Sequence, residues 1–261
     1  MARHRPKQSP SYIYHFPTSE RERSIVTTVN EIIKDEKPLR KRKRRNLSPI
    51  GQKIDCKISC LQKGYLSEDS RKQARARADL ANLRRGLTAG PGERVEIWHL
   101  TQVDVSDNAP DEPTREEFAV HVSMTLYAAH QQSRTKPMHR PAEGLGHAAH
   151  SVVGYGDDEN PSARARFDAL VMSSTPRELR RHLRSFVSLL RAKEIPLDYG
   201  MLVDDIVCFQ RPGGAKAVRR HWSRQYYDFS STDGESSETD STAEDICSEN
   251  SLHNSLRNTK E

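Results

Sequence analysis

The sequence predicts an all-α fold, and three observations carry that expectation. Apolar residues recur at three- and four-residue steps through most of the span 48–229, as in Leu179, Leu183, Phe186, Val187 and Leu190. Helix-start signatures precede such runs: Thr175 with Pro176 and Glu178, and Thr114 with Glu117. No alternating apolar–polar run of useful strand length interrupts them. Hydrophobic residues make up 34% and aromatic residues 6% of the 261, low for one large core and in keeping with small helical bundles between polar ends.

Charge is spread unevenly. Residues 1–47 carry a net +8, residues 48–229 a net +4, and residues 230–261 a net −6. A basic arm (1–47) and an acidic tail (230–261), both expected to be disordered, thus flank a mildly basic body. Such a balance points to a polyanionic partner. Nucleic acid is favoured over a membrane, because no segment approaches the roughly 20 apolar residues of a span. The first residues lack the apolar run of a secretory leader. Cys56, Cys60, Cys208 and Cys247 do not read as a disulfide framework, so a reduced, cytoplasmic protein is the simplest expectation.

In the arm, Ile25, Val29, Ile32 and Ile33 suggest a short helix over 24–34, and the run from Arg40 to Arg45 is either a phosphate grip or a solvated tail. The first strong helix is expected over 48–62, through Ile50, Ile54, Ile58 and Leu61, ending at Gly64. Cys56 and Cys60 lie on it as ordinary small residues. A second follows over 70–87, with Ser70 and Gln73 as capping box and Leu80, Leu83 and Leu87 inward. Residues 88–113 read as loop, with Val95, Ile97, Trp98 and Leu100 plugging the core and Trp98 as packing anchor. The helix from about 115 to 132 directs Phe118, Val122, Leu126 and Ala129 inward.

Residues 133–144 break the pattern and carry Arg134, Lys136, His139 and Arg140, a phosphate-gripping loop or a solvated connector. Helices then follow over Leu145 to Val153, Ser162 to Ser174 and Thr175 to Arg191, the last with Arg177, Arg181, Arg184 and Arg191 on one stripe and Arg180 beside it. Pro196 stops that helix, and Asp198 caps the next one, which packs Tyr199, Leu202, Val203, Ile206 and Phe209. The final helix, 215–229, buries Val218, Trp222, Tyr226 and Phe229 and carries Lys216, Arg220 and Arg224 opposite, with Arg219 adjoining. The loops divide the body into two bundles, 48–132 and 145–229, joined at 133–144.

Catalytic signatures are absent. There is no phosphate-cradling glycine loop and no nucleophile elbow. His147 and His150 have metal spacing but no third ligand of matching geometry. Asp204 and Asp205 are neighbours and so point about 100° apart on a helix, which suits a solvated face or an ion pair with arginine better than a metal nuclease. Neither an enzyme nor a cofactor is expected.

The stretches LQKGYL (61–66), LANLRRGL (80–87), LYAAHQQS (126–133), LGHAAH (145–150), ARARFDAL (163–170), LRRHLRSFVSLLRAKEIPLDYGMLVDDI (179–206) and RRHWSRQYY (219–227) together resemble the CasB family, the small subunit of the type I-E CRISPR surveillance complex Cascade. The resemblance covers about 48–229 and lies in the order and spacing of these pieces. It implies a non-catalytic all-α protein of two bundles, placed as a pair of copies inside the complex. The implied partners are the other Cascade subunits, the guide crRNA, and the target and displaced DNA strands. It also implies basic surfaces that hold DNA: Arg84 and Arg85; Arg164 and Arg166; Arg180, Arg181 and Arg184; Arg219, Arg220 and Arg224. Opening DNA against a guide is nearly balanced in free energy, so modest arginine–phosphate bonding can stabilise the R-loop. Two readings compete: a free-standing nucleic-acid-binding regulator, for which no marked helix-turn-helix is found, and arginines spent in ion pairs with the acids of the body.

Overall fold

A computed structural model describes residues 42–104, 109, 111–154 and 156–228. The expected helix over 24–34, the arm before residue 42, Phe229 and the tail lie outside the described residues. Every regular element among the described residues is helical, and the one isolated bridge joins His139 to Leu197 in parallel. In chain order the helices are α1 (Pro49–Tyr65), α2 (Ser70–Arg85), α3 (Trp98–Thr101), α4 (Arg115–Gln131), α5 (Leu145–Val153), α6 (Pro161–Val171), α7 (Pro176–Ala192), α8 (Tyr199–Phe209) and α9 (Gly214–Tyr227).

Local chemistry explains most boundaries. The Ser48 hydroxyl caps α1, which runs through Gly64 to Tyr65, one residue beyond the expected stop. Asp69, not a Ser70–Gln73 box, caps α2 by accepting the Arg71 and Lys72 amides. A carboxylate one residue earlier reaches the free amides and complements the helix dipole. Both expected capping boxes form, Thr114–Glu117 on α4 and Thr175–Glu178 on α7. Asn160 caps α6 and Asp198 caps α8.

At the centre lies α4. Residues from Ala119 to Ala128 are all buried, so the helix has no solvent face along that stretch. Its buried face is broader than the expected stripe: Ser123, Thr125, His121 and His130 are buried beside Val122 and Leu126. Around α4 pack α1, α2, α7 and α8; beyond them α9 lies on α8 and α5, and α6 lies on α7 and α5. One apolar core runs from Ile54 on α1 to Tyr226 on α9. The connection at 133–144 does not divide it, because α8 lies against α1 and α4 as well as α9. That connection is itself pinned: the Gln62 amide bonds both the N–H and the carbonyl of His139, and Met138 is buried.

Two glycines mark close approaches. A Cβ on Gly146 of α5 would lie 2.2 Å from the Trp222 carbonyl of α9, and one on Gly214 would lie 1.7 Å from the Cys208 carbonyl. Only glycine permits these backbones to meet.

Candidate nucleic-acid interface

On α7 the apolar and cationic faces separate as the helical repeat dictates. Leu179, Leu183, Phe186, Val187 and Leu190 are each 1% exposed or less. At about 100° per residue they fill an arc of roughly 100°; Arg180 and Arg191 fall at its edge, and Arg184, Arg177 and Arg181 fall progressively further out. The structure follows this order. Arg180 lies half-buried and donates to the carbonyls of Leu87 (2.7 Å) and Ala89 (2.6 Å), holding the 3-10 turn Gly86–Thr88 that follows α2. Arg191 donates to the Gln132 carbonyl at 3.1 Å. Arg177, Arg181 and Arg184 are exposed.

The same turn brings the end of α2 alongside. Arg85 is exposed and, among the described residues, bonds Asn82 of its own helix at 3.3 Å. Arg84 is half-buried, and its guanidinium is held below the ordinary arginine range first by burial and then by the neighbouring charges of Arg191 and Arg85. Arg180 is depressed likewise, by burial and then by Arg184. Like charges thus meet in two sets on α2 and α7, Arg84 with Arg191 and Arg85, and Arg180 with Arg184, which gives these helices a positive field. Such a field attracts phosphate oxygens irrespective of base sequence.

The remaining expected site residues divide by what they touch. Arg134 and Lys136 both pair with Glu194, at 3.1 and 3.0 Å, so the connecting loop spends these cations internally. Arg140 beside them is exposed. Arg164 pairs with Asp168 at 3.0 Å and lies over the Tyr226 ring, whereas Arg166, two residues on, is exposed. Arg219 donates to the Ser173 carbonyl at 2.6 Å. Lys216, Arg220 and Arg224 lie along α9 at four-residue steps and make no ion pair among the described residues.

The largest departure concerns the basic run at 40–45. Arg44 lies between Asp55 of α1 (2.5 Å) and Asp198 at the start of α8 (2.6 Å). Arg45 pairs with Asp205 at 2.7 Å and donates to the Met201 carbonyl. Ser48 bonds Asp204 through both its amide and its hydroxyl. Residues 44–48 are therefore part of the body, and neither arginine is offered to phosphate. Asp55, His139 and Asp198 place ligand atoms within 4.8 Å of one another, a metal-like cluster, but Arg44 supplies its cation. The adjacency of Asp204 and Asp205 in sequence does suggest ion pairing; nothing in the sequence around Arg45 and Ser48 marks them as the partners.

The family model for the CRISPR-associated protein Cse2 (CRISPR_cse2) matches residues 79–227. The fold is similar to the crystal structure of CasB from Thermobifida fusca, which is 34% identical with a TM-score of 0.56 over 70% of this chain and 99% of that one. A Cse2-family CRISPR-associated protein from Thermus thermophilus is 23% identical, TM-score 0.51, over 70% of this chain and 99% of that one. A chain described as a CRISPR RNA-guided surveillance complex is 22% identical, TM-score 0.50, over 69% of this chain and 94% of that one. At those identities the last two show the fold alone. A search of curated protein sequences finds no match. With more than half of its length matched by the family model and its fold shared with the CasB crystal structure, the chain belongs to the Cse2 (CasB) family.

Proposed function

We propose that the chain is a non-catalytic subunit of an RNA-guided CRISPR surveillance complex of the Cascade kind. In it, exposed arginines hold nucleic-acid backbone and stabilise the R-loop on target DNA. The observation that carries this reading is the positive field of α2 and α7. Arg85, Arg177, Arg181 and Arg184 are exposed there and form no ion pair among the described residues. Lys216, Arg220 and Arg224 form a second cationic row on α9. Arginine forks suit phosphate oxygens and read no bases. They therefore suit a task in which the guide, not this subunit, reads sequence. Arg180, Arg219 and Arg164 serve as supports for this surface, since their guanidinium groups are already bonded to protein.

Partners on this reading are the other subunits, the guide RNA, both DNA strands and a second copy of the chain. No helix among the described residues is long and apolar enough to cross a membrane. The test is assembly: the full chain is expressed with and without the other Cascade subunits and a guide RNA, and the guide-containing complex is isolated. Stoichiometric retention, with tighter binding of opened target DNA, is expected. A chain that stays outside the complex yet binds nucleic acid alone would return the free-standing regulator.

A further inference from the structure

Trp98 and Val95 are large apolar side chains left at the surface, 50% and 64% exposed. The expected core anchor is thus not Trp98; the anchors are Ile97 and Leu100, 2% and 9% exposed. A 3-10 turn, Val95–Ile97, leads straight into the short helix α3. Residues three apart nearly eclipse in that geometry, so Val95 and Trp98 stand side by side above their buried neighbours. The indole N–H donates to the Gly92 carbonyl at 2.8 Å. The ring is thus held in place with its one polar atom satisfied, beside a shallow hollow lined by Pro91, Gly92, Thr101, Gln102, Glu117 and His121.

The segment from 91 to 104 is acidic within an otherwise basic body. Glu93 and Glu96 are exposed and form no ion pair among the described residues. Glu117 also faces the hollow, its carboxylate spent on the α4 cap. Arg94 is the one lysine or arginine from 91 to 104. Two cations from other elements lie nearby, and both are turned to backbone carbonyls: Arg180, whose charge Glu93 also feels, to Leu87 and Ala89, and Lys57 to Leu100 and Gln102. A rigid indole on an acidic segment disfavours phosphate and favours a cation with an apolar stem. Tryptophan is the strongest aromatic partner for such cations, and Trp–Arg pairs are typical anchors of protein interfaces.

We propose that this face docks a partner protein through an arginine or lysine side chain laid on the Trp98 ring. Val95 packs against the aliphatic stem, and Glu93 and Glu96 balance the charge. None of these residues belongs to the phosphate-binding faces, so the proposal stands whether or not that reading does.

The chain has two tryptophans, and the other, Trp222, is 1% exposed, so the two indole N–H signals separate surface from core. The full chain, with labelled indole nitrogen, is titrated with the blocked peptide Leu-Arg-Gly and with the same peptide carrying uncharged citrulline. The arginine peptide is expected to shift the Trp98 signal saturably and leave Trp222 in place. Citrulline, or the E93Q/E96Q variant, is expected to weaken binding about fivefold or more. No saturable shift up to about 10 mM arginine peptide overturns the proposal. So does equal affinity for the citrulline peptide. A short oligothymidine that shifts Trp98 more strongly than the peptide does would make the ring a base-stacking platform and overturn it as well.

Discussion

Replacing Arg44 by alanine is expected to cost about 3 kcal/mol of folding stability. The reason is the aspartate it leaves behind. Asp198 has no exposed side-chain area, and Asp55 is about one-quarter exposed. Arg44 bonds both, and although burial opposes its charge, the bonds to Asp55 and Asp198 more than offset this and raise its pKa. The Asp55 carboxyl is held below its usual value against its own burial, by Arg44 and then His139. Removing one member of a buried pair typically costs about 3–5 kcal/mol, because a charge is left in low dielectric without its counterion. Asp198 keeps amide donors from Ala142 (2.8 Å) and Met201 (3.0 Å), which places the loss at the lower end. For a unit of this size about 3 kcal/mol corresponds to a fall in Tm of roughly 6–12 °C. Urea unfolding read by circular dichroism gives the loss as a lower midpoint at unchanged m-value. A midpoint equal to that of the parent would refute the argument that this strap neutralises the buried aspartates. The double variant R44M/D198N, which removes both charges, is expected to recover part of the loss through their coupling.

Three further outcomes are expected. Arg180→Ala, which leaves two partly buried carbonyls without a charged donor, should lower stability by about 1.5–3 kcal/mol in the same unfolding assay. Stability should fall as pH drops below the unfolded histidine pKa. Burial pushes His130 down to about 3, so from about pH 6.5 to 3 the unfolded chain binds a proton that the folded one refuses. The slope is about 1.4 kcal/mol per pH unit for that residue, read as midpoint against pH and absent in His130→Gln if that variant folds. Gly146→Ala should be poorly tolerated because its Cβ would meet the Trp222 carbonyl at 2.2 Å; a variant with parental Tm would show that α5 and α9 separate without cost.

Much of the fold was legible in sequence because the helices of this chain are amphipathic and well capped. The α7 stripe and both Thr–Glu boxes follow from local chemistry, and local chemistry is what a sequence displays. The all-round burial of α4 was not legible: Ser123, Thr125 and two histidines look like an outer face until other helices cover them. Trp98 misled for the opposite reason, since a large aromatic is usually buried and here a neighbouring isoleucine holds that place. At the candidate site, sequence grouped arginines by type, but their fates differ by tens of degrees around a helix. Arg180 sits close enough to the apolar arc to reach backbone carbonyls, and Arg181 does not. The Arg44–Arg45 clamp depends on aspartates some 10 to 160 positions away, a separation no local pattern encodes.

The most direct measurement is the salt dependence of target-DNA binding by the assembled complex, with the parent chain and with R85A/R181A/R184A. These three arginines are exposed, so their removal leaves the core packing in place. If they hold phosphates, the slope of log K against log salt should become shallower by roughly 0.7–0.9 for each phosphate no longer held, about 2–3 in all. Arg180→Ala, measured alongside, should leave the slope near that of the parent. An unchanged slope in a folded, fully assembled triple variant would contradict the assignment of the α2–α7 field to nucleic acid.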